Sequence, residues 1–311
     1  MRKHTIILTT LFLLAVSAGE ALEQSPVPII DGGPVSVAAS GDIILTGDSL
    51  GNLSAIRNYA EIWNVNYSDS SCIGTPAILD GQVVFAQVTG EITCLNISDG
   101  SLVWRYVPVV SEYSYEGLND GVALGDGRVY AAFMSGNLRA LDFESGRVLW
   151  TYESKQGLRT APAYSEGLVL LGEYNGLFSI IDAESGKRLN GGGAGGAVNT
   201  PSVSDGRVYY SAWDGSVHAV QLDGVIPLWD AKAGEPVTTA PVIAEGLVVV
   251  GTASGKIVAL GQSDGAKLWE YDSQEGQLRL SVSSGRVSAG TENGRTLVLE
   301  AKTGKLISED K

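Results

Sequence analysis

A unit of about 40 residues repeats along almost the whole chain, and this repeat constrains the fold more than any other feature of the sequence. It is clearest in Gly127–Trp150, GRVYAAFMSGNLRALDFESGRVLW, where apolar alternating strands are separated by Ser-Gly turns. The glycine that opens the second strand of each copy recurs at intervals of 39 to 46 residues. The copies begin at Gly41, Gly81, Gly127, Gly167, Gly206, Gly246 and Gly285.

Each copy predicts four short strands, and so small a sheet needs neighbouring sheets to bury its faces. We therefore predict an all-β fold: a seven-bladed β-propeller of four-stranded antiparallel blades over residues 34–311, with no helix longer than two turns after the leader. An eight-bladed ring is disfavoured, because it needs about 40 more residues. Residues 22–33 form an N-terminal segment, in which Val27–Ile30 is a candidate clasp strand. Prolines are expected in the innermost strands, facing a central channel; they are Pro76, Pro162, Pro201 and Pro241.

Residues 1–21 are typical of a secretory signal peptide. Arg2 and Lys3 form the charged head, Ile6–Val16 the apolar core, and small residues near Ala18 or Ala21 an exit for cleavage. We expect an extracytoplasmic protein, whether periplasmic, secreted or at the cell surface. A retained membrane anchor is the alternative, although the apolar core is short for a span of roughly 20 residues.

The chain is acidic, with 35 Asp and Glu against 21 Lys and Arg. Cleavage after Ala18 removes two basic residues and no acidic one, so the net charge becomes 19 − 35 = −16. Nucleic acid and anionic membranes attract basic stripes, and the mature sequence contains no run of Lys or Arg. We therefore expect neither as a partner, and we expect a monomer.

The chain contains two cysteines, Cys72 and Cys94. A disulfide between them would have to reach across an intervening strand, so two free thiols are the favoured interpretation and a bridge the alternative. Asn-x-Ser triplets that could accept a glycan in a suitable host begin at Asn52, Asn66 and Asn96.

The motif A-x-D-x-x-[ST]-G-x-x-x-W, complete in Ala140–Trp150, resembles the repeat of the pyrroloquinoline-quinone-type β-propellers. That family includes quinoprotein alcohol dehydrogenases and the outer-membrane assembly factor BamB. The resemblance implies that a tryptophan in each fourth strand docks against the adjoining blade. Asn190 and Ser308 replace it in blades four and seven, and Trp63 follows a shortened turn. The matching positions are Trp104, Trp150, Trp229 and Trp269.

The family also contains enzymes, but this sequence lacks the motifs that characterise them. It has no adjacent Cys-Cys pair and no C-x-x-C-H haem attachment, and His218 alternates within a strand, where a structural role is favoured over a catalytic one. Asp142 and Asp182 precede Ser-Gly turns, so turn capping explains them better than acid–base or calcium chemistry. We predict no catalytic residue, no metal site, no cofactor and no enzymatic activity.

Three functions follow in order of preference. The first is an exported, non-catalytic propeller that binds a protein or a glycan through one face. The second is a BamB-like scaffold for assembling envelope proteins, although no lipobox cysteine follows the leader. The third is a reduced quinoprotein dehydrogenase.

The binding face can be predicted from chain geometry. In a four-stranded antiparallel blade, the turn after the second strand and the connection after the fourth emerge on the same side. Several of these turns carry exposed aromatic or apolar residues, and the long connection before Gly127 carries two tyrosines. Two arginines expected just ahead of innermost strands could hold a carboxylate. The predicted binding residues are Tyr113, Tyr115, Met134, Arg159, Tyr174, Trp213 and Arg279.

Overall fold

The computed structural model describes residues 34–310 except 49, 59, 67–70, 110–115, 119, 155, 156, 159 and 292–294. These residues form 28 strands in seven four-stranded antiparallel sheets, and they contain no helix. The predicted class, an all-β seven-bladed β-propeller, is confirmed. The leader and the candidate clasp strand lie outside the described residues. No helix of the described chain is long and apolar enough to cross a bilayer.

The chain divides after Ala161 into two compact units, each described by itself. The first unit holds blades 1 to 3. Blade 1 consists of β1 (Pro34–Ser40), β2 (Ile43–Asp48), β3 (Asn52–Arg57) and β4 (Ala60–Asn66). Blade 2 consists of β5 (Cys72–Leu79), β6 (Gln82–Gln87), β7 (Ile92–Asn96) and β8 (Leu102–Tyr106). Blade 3 consists of β9 (Ala123–Gly125), β10 (Arg128–Ala132), β11 (Asn137–Asp142) and β12 (Val148–Glu153).

The second unit holds blades 4 to 7. Blade 4 consists of β13 (Ala163–Ser165), β14 (Leu168–Gly172), β15 (Leu177–Asp182) and β16 (Arg188–Gly193); blade 5 of β17 (Ser202–Ser204), β18 (Arg207–Ser211), β19 (Ser216–Gln221) and β20 (Ile226–Lys232); blade 6 of β21 (Val242–Ala244), β22 (Leu247–Gly251), β23 (Lys256–Gly261) and β24 (Lys267–Asp272); and blade 7 of β25 (Leu278–Ser283), β26 (Arg286–Thr291), β27 (Thr296–Glu300) and β28 (Leu306–Asp310).

The glycines that mark the repeat open the hairpin between the first and second strands. In blade 3, Asp126 and Gly127 have φ angles of 48° and 66°. Two successive left-handed residues define a type I′ turn, whose twist matches that of the flanking strands. Glycine adopts this conformation without steric cost, which is why it recurs at this position.

The core lies between successive blades. In the first unit, one cluster joins blades 1 and 2 and another joins blades 2 and 3, each built mainly from side chains of the second and third strands. In the second unit, three clusters join blades 4 and 5, 5 and 6, and 6 and 7. No blade buries its faces alone, as the repeat predicts.

Tryptophans of the fourth strands close these interfaces. The Trp104 indole is buried, its Nε1–H donates to the Phe143 carbonyl of the next blade at 2.7 Å, and its ring covers Gly146. The same contact recurs at Trp63 with Ile97, Trp229 with Gln262 and Trp269 with Ala301.

The implied docking is therefore confirmed for Trp104, Trp229 and Trp269. Trp63 docks as well, although only two residues join its hairpin, between Arg57 and Ala60. Trp150 is half-buried, with its ring 5.9 Å from that of Tyr130.

One expectation about the strands is wrong for three of the four prolines. The prolines at 162, 201 and 241 precede the first strands of blades 4 to 6 rather than lie within them. Of the four predicted prolines, Pro76 alone lies inside a first strand, β5, whose pairing with β6 is irregular. Both cysteines are buried free thiols, as expected, and burial raises the pKa of each to about 12.

Candidate binding face

In both units, the turns after the second strands lie beside the connections that follow the fourth strands. In blade 4, the N–H of Ala194 in the connection donates to the Gly176 carbonyl of the turn at 2.7 Å. Ala233 repeats this bond to Gly215 in blade 5 at 2.8 Å. In each unit, we call the surface built from these turns and connections the turn face of that unit. In the second unit it comprises residues 173–176, 194–199, 212–215, 233–238 and 252–255, and in the first unit residues 88–91, 107–109, 116–118 and 133–136.

Two aromatic side chains stand out on the turn face of the second unit. Tyr174 is 50% exposed and Trp213 is 42% exposed, and they lie on the turns of neighbouring blades. The N–H of Trp213 donates to the Ala197 carbonyl at 3.0 Å, so the blade 5 turn is held against the connection from blade 4. A rigid backbone that carries exposed rings is suited to recognition.

Asp214 organises the turn that carries Trp213. Its carboxylate accepts hydrogen bonds from the Ser216 N–H at 2.9 Å, from the Gly195 N–H at 3.2 Å and from the Lys232 ammonium at 3.3 Å. Partial burial acts to raise the pKa of Asp214. The hydrogen bonds from Ser216 and Lys232 lower the pKa by a larger amount, so that its value is about 2. The carboxylate is therefore ionised at neutral pH and fixes the turn.

The turn face of the first unit is apolar at several positions that sequence reasoning missed. Val107 is 56% exposed and Val109 is 89% exposed, in the connection from blade 2. A Cβ on Gly90, in the blade 2 turn, would lie 3.1 Å from Pro108, so this connection packs against that turn. The only signal was the run Val-Pro-Val-Val directly after β8, which is more apolar than an ordinary loop. Met134 also lies on this face and is 37% exposed.

Glu116, in the same long connection, has a structural role. It is only 4% exposed, and its carboxylate accepts a hydrogen bond from the Arg139 guanidinium at 2.6 Å. Arg139 in turn stacks on the Phe133 ring, with its guanidinium carbon 4.5 Å from the ring centroid. This pair anchors the connection to blade 3, so Glu116 is not offered to a ligand.

The other predicted residues have different outcomes. Tyr113, Tyr115 and Arg159 lie outside the described residues. Arg279 is exposed but lies inside β25, paired with Gly290, and not ahead of the innermost strand as predicted. The length of the first strand of blade 7 accounts for the difference, because that strand has six residues whereas those of blades 3 to 6 have three.

A serine, a histidine and an aspartate are hydrogen-bonded in series in blade 5. His218 bonds Ser216 Oγ at 2.8 Å through Nε2 and Asp230 at 2.5 Å through Nδ1, and its ring stacks on Tyr210. The Ser216 hydroxyl, however, is buried and donates to the Asp214 carboxylate. A serine whose proton is held by a carboxylate and whose oxygen is enclosed cannot act as an exposed nucleophile. The network therefore cross-links β19, β20 and the turn face.

Asp142 and Asp182 cap the turns that follow them. The Asp142 carboxylate accepts the Ser145 N–H at 2.9 Å and the Ser145 hydroxyl at 2.5 Å, and the side-chain bond lowers its pKa. Asp182 makes the same bonds to Ser185. The capping role is confirmed. Among the described residues, no group of three or more His, Cys, Asp or Glu side chains is placed to hold a metal ion.

Comparison with known proteins places this geometry in a family. The family model described as outer membrane protein assembly factor BamB matches residues 14–223 and 189–311. The chain belongs to this family. The match covers every blade, and it confirms the resemblance to quinone-type propellers of the BamB kind that the repeat indicated.

Individual relatives match over shorter segments. BamB of Xanthomonas campestris is 37% identical over 84 residues, which is 24% of this chain and 21% of that protein. BamB of Burkholderia pseudomallei is 30% identical over 139 residues, which is 42% of this chain and 36% of that protein. The matched segments thus span less than half the length of these relatives.

Solved structures match over most of the chain. The crystal structure of BamB from Moraxella catarrhalis superposes with a TM-score of 0.75 at 20% identity, over 88% of this chain and 84% of that one. The computationally designed Ika8 protein superposes with a TM-score of 0.79 at 18% identity, over 89% and 86% of the two chains. At such identities the likeness establishes the fold alone.

Proposed function

We propose that this protein is an extracytoplasmic, non-catalytic scaffold that takes part in assembling outer-membrane proteins and binds a protein partner through its turn face. The observation that carries the proposal is the match of the BamB family model across all seven blades. The relatives are named as assembly factors, which favours the second function inferred from the sequence over a general binding propeller. A protein ligand is correspondingly favoured over a glycan.

The character of the turn face supports a protein partner. Val107 and Val109 in the first unit, and Tyr174 and Trp213 in the second, are large apolar groups left at the surface. The turns that carry Tyr174 and Trp213 are held by backbone hydrogen bonds. Exposed apolar and aromatic side chains on a rigid frame lose little entropy on binding. The net charge of −14 disfavours acidic partners such as nucleic acid and anionic lipid.

The function can be tested in the native host. Deletion of the gene should lower the amount of folded β-barrel protein in the outer membrane, measured by heat-modifiable mobility on gels. The native chain should restore that amount. An unchanged amount after deletion would contradict the proposed function.

Variants then test the turn face. Val107→Ser/Val109→Ser and Tyr174→Ala/Trp213→Ala should keep the parental melting temperature but fail to restore β-barrel assembly. Leu268→Ser is a matched control, because Leu268 is 53% exposed on β24, away from the turns. If the double variants restore assembly as well as this control does, partner binding lies elsewhere; if they lose stability, these side chains serve packing.

The quinoprotein alternative is tested separately. We expect the purified chain, mixed with pyrroloquinoline quinone and Ca²⁺ and then desalted, to retain no quinone absorbance. A stable chromophore with dye-linked alcohol oxidation would instead favour the enzyme.

A further inference from the structure

A polar network of blade 5 joins its outer strand to the turn that follows its second strand. His218 of β19 lies at the centre of this network. Its Nδ1 is 2.5 Å from a carboxylate oxygen of Asp230 in β20, and its Nε2 is 2.8 Å from Ser216 Oγ. The Ser216 hydroxyl in turn donates to the Asp214 carboxylate of the turn. Three hydrogen bonds therefore run in series from the outer strand to the turn face.

The number of protons available to this series depends on the charge of His218. The Asp214 carboxylate is ionised, because its pKa is about 2, so Ser216 supplies the proton of the bond between them. Ser216 Oγ has no second proton, so its bond to the ring requires a proton on Nε2. The bond to the Asp230 carboxylate requires another proton, on Nδ1. All three bonds form together only when the imidazole carries both protons and is positively charged.

The other groups around the His218 ring are compatible with a positive charge. The Tyr210 phenol of β18 stacks on the imidazole, with ring centroids 4.6 Å apart, and the face of an aromatic ring attracts cations. Burial raises the pKa of Tyr210 to about 12, so the phenol stays neutral. Phe178 of blade 4 packs on Tyr210 and brings no charge. The Lys232 ammonium binds the Asp214 carboxylate oxygen that does not bond Ser216, at 3.3 Å.

We propose that His218 is a pH-sensitive switch that controls the order of the turn carrying Trp213. The protonated imidazole directs the Ser216 hydroxyl to Asp214, and the neutral imidazole takes that hydroxyl for itself. Imidazole is the side chain that exchanges its proton near neutral pH, and the His218 side chain is 15% exposed, which gives the ring access to solvent. The consequence for binding rests on the function proposed above: a partner held by Trp213 binds more tightly at mildly acidic pH.

Loss of one proton leaves two protons for three bonds. The Nδ1–H is retained, because a hydrogen bond to a carboxylate is stronger than one to a hydroxyl. Nε2 then presents a lone pair, toward which the Ser216 hydroxyl turns. Asp214 loses its bond from that hydroxyl but keeps its bonds from the N–H groups of Ser216 and Gly195. The turn is therefore loosened and not released.

Nuclear magnetic resonance of the full chain between about pH 5 and about pH 9 tests the switch without a partner. Nitrogen spectra of the imidazole report its charge and tautomer; the sequence contains two histidines, and His218→Gln assigns the signal. Fluorine spectra of chain labelled with fluorotryptophan report the surroundings of Trp213, assigned with Trp213→Phe. We expect the imidazole to carry both protons at the acidic end and to lose the Nε2 proton as the pH rises. The Trp213 signal should shift with the same midpoint.

Two variants test the link between the ring and the turn. His218→Gln removes the titrating group, so the Trp213 signal should no longer shift over this pH range. Ser216→Ala removes the hydroxyl but keeps the imidazole, so the ring should still titrate while the Trp213 signal stays constant. A Trp213 shift that persists in Ser216→Ala would show that the charge of the ring acts through space and not through the hydroxyl.

A further pair of variants tests the carboxylate. Asp230→Asn should move the midpoint of the imidazole titration to lower pH by about one unit, because the protonated ring loses its charged partner. Glu270→Gln is the matched control, since Glu270 pairs with Val258 in blade 6 as Asp230 pairs with His218 in blade 5. This control should leave the midpoints of both titrations unchanged.

Two results would overturn the proposal. One is an imidazole that has a single proton at about pH 5, or that still has both at about pH 9; the other is a Trp213 signal that does not follow the imidazole titration. These readouts need no partner, so failure of the switch is distinguishable from failure of the proposed function. If the Trp213 signal follows His218 but deletion of the gene leaves β-barrel assembly unchanged, the switch stands and the proposed function is wrong.

Discussion

At the scale of single residues, the contact between an indole and a glycine joins one blade to the next. Trp104 illustrates its two components, since the ring is 7% exposed and its N–H has a partner at 2.7 Å in the following blade. Burial of so large a side chain contributes several kcal/mol, which is a substantial fraction of the roughly 5–15 kcal/mol by which a domain is stable.

We therefore expect Trp104→Ala to lower the free energy of unfolding by about 3–5 kcal/mol, because it leaves a cavity and an unpaired Phe143 carbonyl. Trp213→Ala is the control, since that ring is 42% exposed. Urea denaturation followed by far-ultraviolet circular dichroism measures both. Similar midpoints for the two variants would show that the docked indole adds little to stability.

The glycine beneath the indole can be tested apart from its backbone angle. Gly146 and Gly127 have nearly equal φ angles, 69° and 66°, but a Cβ on Gly146 would lie 2.5 Å from the Trp104 ring and one on Gly127 would meet nothing within 4 Å. Gly127→Ala should cost about 1–2 kcal/mol for the left-handed conformation. Gly146→Ala should cost about 1–3 kcal/mol more, because the ring must move. Equal melting temperatures for the two variants would contradict tight docking.

At the scale of elements, the turns after the second strands are held by side chains rather than by glycine alone. The Asp214 carboxylate joins its own turn to Gly195 in the preceding connection and to Lys232 in β20. Because these bonds need the ionised carboxylate, the order of this turn depends on pH.

The pKa of Asp214 is about 2 in the folded chain, lower than the ordinary value of 3.8. A lowered pKa stabilises the fold above the unfolded value, and that stabilisation is lost as the pH falls through the folded value. Asp214→Asn should therefore cost on the order of 1–2 kcal/mol at neutral pH, and the difference from the parent should shrink between about pH 4 and about pH 2. Thermal melts across this range measure it. A difference independent of pH would mean that the carboxylate charge is not involved.

At the scale of the whole molecule, the net negative charge opposes self-association of the chain. A formal net charge of −14 makes copies repel one another at neutral pH and moderate salt. Several apolar groups nevertheless stand on the turn face, and self-association through them would compete with a partner.

We predict a monomer. Sedimentation velocity at micromolar concentration should give the mass of a single chain, at most the 32.5 kDa of the full sequence. A dimer that dissociates in Val107→Ser/Val109→Ser would show instead that copies of the chain bind one another through these residues.

The sequence by itself determined the features that depend on neighbouring residues. The period near 40 predicts the blades, the glycines predict the turns, and the tryptophans predict the joints, because strand alternation, positive φ and a large indole each leave a local mark. Tertiary structure alone decided that Glu116 is buried against Arg139 and that Val107 and Val109 are exposed. Each of these depends on segments about 20 or more residues apart meeting in space, and the burial of a side chain is set by those partners and not by its neighbours in the chain.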